Sequence, residues 1–148
     1  MASAQQLPNP YGAPVAVEVA RRVAQAAMGE AHKNGWTVAV AVVDPAGSLV
    51  YYEKMDNTQL GSAQVSIDKA RSAALFKRPT KAFEDAVNSG KPNTLGLPGA
   101  IPLEGGVPLI EGGRIVGAVG VSGGTSQQDG VCAKAGADAL AGRAASSK

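Results

Sequence analysis

Two segments of this chain are apolar and largely β-branched without alternation: residues 36–43, Trp-Thr-Val-Ala-Val-Ala-Val-Val, and residues 115–121, Ile-Val-Gly-Ala-Val-Gly-Val. A strand with one wet face alternates in polarity. Strands that do not alternate belong inside a sheet covered on both sides. Gly117 and Gly120 interrupt the second segment, which marks a close backbone approach by a ligand or another element. The fold therefore has to supply helices for two faces of one sheet.

The remaining periodicity supplies them. Over residues 14–33, Val15, Val19 and Val23 recur every fourth position, and Ala16, Ala20, Ala27 and Ala31 widen the stripe. Glu18 and Arg22 have the spacing of an ion pair on the wet side. Residues 60–77 read as a helix with Ala63, Ile67, Ala70 and Ala74 inward and Asp68, Lys69 and Arg71 outward. A shorter helix over residues 79–88 has proline at its start and Gly90 beyond its end. The last helix follows Thr125 and Gln128, which have capping-box spacing; it carries Val131, Ala135 and Ala139 and frays near Gly142.

Hairpins join the strands. Asp44-Pro45-Ala46-Gly47 turns residues 36–43 back into a strand over 48–55, and Glu111-Gly112-Gly113-Arg114 turns 107–110 into 115–121. Residues 91–106 are rich in proline and glycine and have no period, the signature of a functional or mobile loop. Hairpins separated by helices predict an α+β fold, one antiparallel sheet with helices on its faces. Residues 1–148 form a single domain, with residues 1–13 expected to be a flexible arm and 142–148 a frayed tail.

Composition narrows the function classes. The chain has 27 alanines and 19 glycines, so its elements pack closely. One cysteine, Cys132, excludes an intrachain disulfide, and one histidine, His32, excludes a His-rich metal site. A net charge of +2 gives no reason to expect nucleic acid as a partner. No apolar run reaches the roughly 20 residues that span a bilayer, so no membrane partner is expected. Residues 1–14 carry no basic and apolar leader pattern, and a cytoplasmic protein is expected.

An ordered set of short motifs adds a family resemblance. They are Val40-Ala41-Val42-Val43-Asp44 with Gly47, Met55-Asp56, Leu60-Gly61-Ser62, and Ile67-Asp68-Lys69-Ala70-Arg71 with Ala74. Arg78-Pro79-Thr80, Gly105-Gly106-Val107-Pro108, residues 117–124 and Gln128-Asp129 follow in order. Together they resemble the GlcG/HbpS-type family, the haem-degrading or DUF336 proteins. The resemblance implies a profilin-like, five-stranded antiparallel sheet with helices on both faces and a multi-subunit assembly. Strands apolar on both faces and Ala-rich helices also suggest more surface to bury than one copy hides, so a closed homo-oligomer is expected, with even subunit numbers favoured by two-fold interfaces. It further implies haem, or a similar anionic cofactor, bound at a subunit interface. Two other readings stand beside it: a catabolic enzyme acting on a small organic acid, and an accessory or assembly protein without a small ligand.

Several residues are candidates for a site. His32, the lone imidazole, has the chemistry of an axial haem ligand, although the C-terminal turn of a helix also favours histidine. Met28, Met55 and Cys132 are soft ligands that more often fill cores. Asp44 supports its turn, while Asp56 precedes a helix and is either a cap or a site residue. Residues 68–91 hold six basic and three acidic side chains, a local +3 that attracts an anion, with Lys69 and Arg71 as the contacts. Thr80 aligns with a threonine that the resemblance implies touches haem; its other reading is a helix cap. Gly105 and Gly106, and Ser122, Gly123 and Gly124 before the last helix, read either as tight turns or as backbone N–H donors for a carboxylate or phosphate. These cues together place a small anionic ligand between residues 97–106, the helix start after Gly124, and residues 69–81.

Overall fold

The computed structural model describes residues 6–146, with side chains through residue 140. Helix α1 (Val17–Lys33) leads to strands β1 (Ala39–Val43) and β2 (Leu49–Lys54). Helices α2 (Ser62–Phe76) and α3 (Lys81–Asn88) follow, then a 3-10 turn (Pro92–Gly96). Strands β3 (Gly106–Glu111) and β4 (Arg114–Ser122) and helix α4 (Ser126–Ser146) complete the chain. The strands form one antiparallel sheet in the order β2-β1-β4-β3.

The two unalternating segments are the inner strands. Every residue of β1 is buried, and so is every residue of β4 except Arg114. Val40, Val42, Val119 and Val121 enter one core with α1 and α4. Ala41, Val43 and Ala118 enter a second core with Ala70, Ala73 and Ala74 of α2. The helices of one chain thus cover both faces of the inner strands.

Helix α2 comes so close to the sheet because glycines lie beneath it. Gly106 and Gly120 are partners across β3 and β4. A Cβ on Gly120 would stand 2.1 Å from the Ser66 carbonyl oxygen, and one on Gly106 would stand 2.3 Å from that of Lys69. The hairpin turn between β3 and β4 places Gly112 and Gly113 at φ of 59° and 76°, the left-handed pair that matches strand twist.

Several expectations are corrected. Four strands are present among the described residues where the resemblance implies five; outside them, an isolated parallel bridge joins Tyr11 to Ile115 of β4. The segment read as a flexible arm is tied down from Leu7, whose N–H donates to the Lys77 carbonyl at 2.7 Å. The Tyr11 hydroxyl donates to the Ala74 carbonyl at 2.6 Å. Residues 1–5 of that arm, and 147–148 of the expected tail, lie outside the described residues; the α4 backbone continues past Gly142 to Ser146.

The inward stripe of α2 differs in part from the expectation: Ala70 and Ala74 are buried, but Ser62 and Ser66 take the places of Ala63 and Ile67. Helix α2 buries Ser62, Ser66, Lys69, Ala70, Ser72, Ala73 and Ala74, because its serines find hydrogen-bond partners and pack like alanines. Lys69 is therefore inside, not on the wet face. In α4 Asp129, Gly130, Cys132, Ala133, Gly136 and Leu140 are buried, while Val131 is exposed. Glu18 pairs with Arg21 rather than Arg22.

The platform makes a direct prediction. Gly120→Ala should lower stability by about 1 to 3 kcal/mol in denaturant titration, because α2 must lift off the sheet. An unchanged midpoint would show that the helix does not rest on this glycine.

Candidate functional site

The end of β4, the start of α4 and the middle of α2 meet around a buried ion pair. Lys69 Nζ stands 2.9 Å from Asp129 Oδ2, and the two side chains are 2% and 3% exposed. Lys69 also donates to the Val121 carbonyl at 3.0 Å. Asp129 Oδ1 accepts the Gly124 N–H at 2.9 Å. Burial pushes the Asp129 carboxyl above the usual aspartate range, against the pull of Lys69 and of the Gly124 and Gly123 N–H groups. Desolvation therefore consumes much of what the attraction supplies.

This pair reassigns the expected anion site. The free N–H groups at the start of α4 face the chain's own carboxylate, and the Thr125 N–H is taken by Gln128 Oε1 at 3.0 Å in the expected capping box. Lys69, expected to bind the ligand's charge, is neutralised by Asp129. Two of its three donors are engaged, and the third is left for the cleft that it lines.

Three clefts are formed by described residues, and the ion pair itself lines the first. One of 210 Å³ is lined by Gln59, Lys69, Leu103, Ser122, Ser126 and Asp129. Its polar wall is a chain of side-chain hydrogen bonds: Gln59 Nε2 donates to Ser62 Oγ at 2.9 Å, and Ser122 Oγ donates to the same oxygen at 3.0 Å. A second cleft, of 240 Å³, lies beyond Gly105 and Gly106, between Pro79, Lys81, Glu104 and Gly130. The third, of 280 Å³, lies between Arg71, Asp68, Leu75 and Ile101.

The expected site residues thus separate. Lys69, Ser122 and Gly124 share the first cleft, and Gly105 and Gly106 line the second. Gly123 packs over the Thr37 carbonyl, where a Cβ would come within 2.2 Å. Thr80 is buried and does not cap α3; its Oγ1 accepts the Gly106 N–H at 2.9 Å, tying α3 to β3. Arg71, two residues after Lys69, points elsewhere and donates to the Gly47 carbonyl at 2.8 Å. Asp56 is exposed in the turn after β2 and lines none of these three clefts. Asp44 Oδ1 accepts the Ala46 and Ser48 N–H groups, each at 2.9 Å, as its turn requires.

Iron ligands are not gathered in the clefts. His32 is exposed in the last turn of α1 and lines none of the three. Cys132 is buried, and burial, reinforced by the charges of Asp129 and Glu30, pushes its thiol up to about 12. Among the described residues no three His, Cys, Asp or Glu side chains gather as a metal site. The clefts also fall below the roughly 300–1,000 Å³ of pockets that enclose drug-sized ligands. None of these three clefts is large enough to enclose haem. Only the surface around His32 offers it an imidazole.

Sequence reasoning missed Asp129 as a site residue, although its pairing with Gln128 in one motif was visible. It also missed Glu104, whose signal was its place just before Gly105-Gly106.

Comparisons with known proteins fit this architecture. Residues 15–138 match the family described as haem-degrading, HbpS-like proteins. Protein GlcG of Escherichia coli is 44% identical over 74 residues, 50% of this chain and 55% of that protein, so the match spans about half the length of this curated relative. The solved structure of Streptomyces reticuli HbpS superposes with a TM-score of 0.80 at 31% identity, over 87% of this chain and 88% of that one. A PduOC–haem complex superposes with a TM-score of 0.77 at 25% identity, over 85% and 94%.

The buried pair and the buried thiol are both testable. Lys69→Met or Asp129→Ala alone should cost about 3 to 5 kcal/mol in urea unfolding, because each leaves an uncompensated buried charge. The double variant Lys69→Met/Asp129→Leu should recover most of that loss; single variants as stable as the parent would contradict the geometry. Cys132 should resist thiol reagents until the protein unfolds, and rapid labelling of folded protein would show that the site opens.

Proposed function

The chain belongs to the haem-degrading, HbpS-like family, and we propose that it is a ligand-binding protein that holds haem, or a similarly planar anionic cofactor, where copies of the chain meet. The observation that carries this reading is the shared fold with PduOC, whose structure was solved as a haem complex and which aligns with 85% of this chain. The three described clefts are too small to enclose a macrocycle, which supports a surface site that a second copy would cover.

His32 is the ligand residue that such an arrangement uses. It is the sole imidazole in the chain and it is exposed, so its ring is free to meet an iron at the surface. The bound group would supply the redox and light-absorbing chemistry of its iron. The chain's own contribution would be the imidazole of His32.

A homo-oligomer belongs to the same reading, on a ground different from the one the sequence offered. The inner strands are covered within one copy, so their apolar faces do not call for a partner. The open outer edges of β2 and β3 do, and exposed Leu49 and Ile110 stand on them. Residence in the cytoplasm and a catabolic setting complete the proposal.

Haemin titration followed in the Soret region tests it. The parent protein should give a saturable, shifted Soret band, and His32→Ala should weaken binding by about tenfold or move the band. Absence of a saturable band in the parent would refute haem binding, and an unchanged His32→Ala spectrum would remove His32 from the site.

A further inference from the structure

Glu104 is the least accounted-for charge in the described structure. Its backbone N–H donates to Glu84 Oε1 at 3.0 Å, but no described group hydrogen-bonds to its own carboxylate. That carboxylate lies directly on the backbone of α4. A Cβ on Gly130 would stand 2.1 Å from Glu104 Oε2, so glycine in this helix makes the seat for it. Burial pushes the carboxyl up; Glu84 and Asp85 add to this, and Lys81 and Lys69 oppose it.

The carboxylate forms one wall of the 240 Å³ cleft. Pro79, Val107 and the glycine backbone of residues 105 and 106 make the rest of that wall apolar. Lys81 and Lys134 also line the cleft. Each is exposed and pairs with an aspartate four residues further along its own helix, Asp85 and Asp138, and Lys81 also feels the charges of Glu104 and Glu84. Such surface pairs are weak and exchange readily for another anion.

We propose that this cleft binds a small carboxylic acid bearing a hydroxyl or ammonium group, with Glu104 accepting that donor and Lys81 and Lys134 facing the carboxylate. The chemistry sets each part of the class. An unmatched acceptor beside an apolar wall calls for a donor, and two mobile ammonium groups call for an anion. At roughly 30 Å³ for each water-sized unit, the cleft takes about eight non-hydrogen atoms. Nucleotides and haem are excluded by size. The site is separate from the haem-binding surface proposed above, and its failure would leave that reading standing.

Three acids of equal carbon count separate the contributions: L-lactate, L-alanine and propionate, titrated into haem-free protein and followed by amide NMR. Lactate and alanine should shift the amides of Gly105, Gly106 and Gly130 and bind about tenfold more tightly than propionate. Glu104→Leu should erase that preference, and Lys81→Met/Lys134→Met should weaken all three acids. Should Glu104→Leu fail to fold, Gly130→Ala, which pushes the carboxylate off its seat, should erase the preference instead. No saturable shift at 50-fold excess over about 1 mM protein, shifts elsewhere in the chain, or equal binding of propionate would overturn the proposal.

Discussion

The structure turns on a charge that the fold buries and then has to satisfy. Lys69 leaves α2 and reaches the end of β4, where Asp129 and the Val121 carbonyl receive it. Two helices on opposite faces of the sheet are joined through this one contact. The glycines around it follow from the need for room: a Cβ on Gly105 would stand 2.8 Å from Lys69 Nζ, and one on Gly106 would meet the Lys69 backbone. A buried pair of this kind adds little net stability, but removing one partner is costly. Its value here is positional, because it fixes α2 against α4 and so sets the walls of the clefts between them.

Fold class was legible because the sheet announces itself. Strands that do not alternate require two covers, and three amphipathic helices provide them. The finer reading failed where polar residues behave as small ones. Ser62, Ser66 and Ser72 fill inward positions of α2, so the apolar stripe looked narrower than it is and Lys69 was assigned to solvent. No periodicity rule distinguishes a lysine that stays wet from one that meets an aspartate 60 residues away.

The same limit governs the site. The Pro/Gly loop, the α4 start and the basic α2 segment do come together, as their residue types suggest. Local sequence cannot show that the helix N-terminus is already filled by Asp129, or that Arg71 serves the Gly47 turn. Asp129 and Glu104 acquire their meaning only from what lies across the fold from them. Conversely, His32 remains a candidate because the fold leaves it exposed.

Small described clefts, a self-filled anion site and an exposed imidazole support the proposal that a macrocyclic ligand lies on a surface that another copy covers. Light scattering on the parent protein at micromolar concentration, with and without haemin, tests that directly. The account predicts a mass that is a multiple of 14.8 kDa, with haem eluting in the assembled species. A monomer that retains haem with full affinity would contradict it.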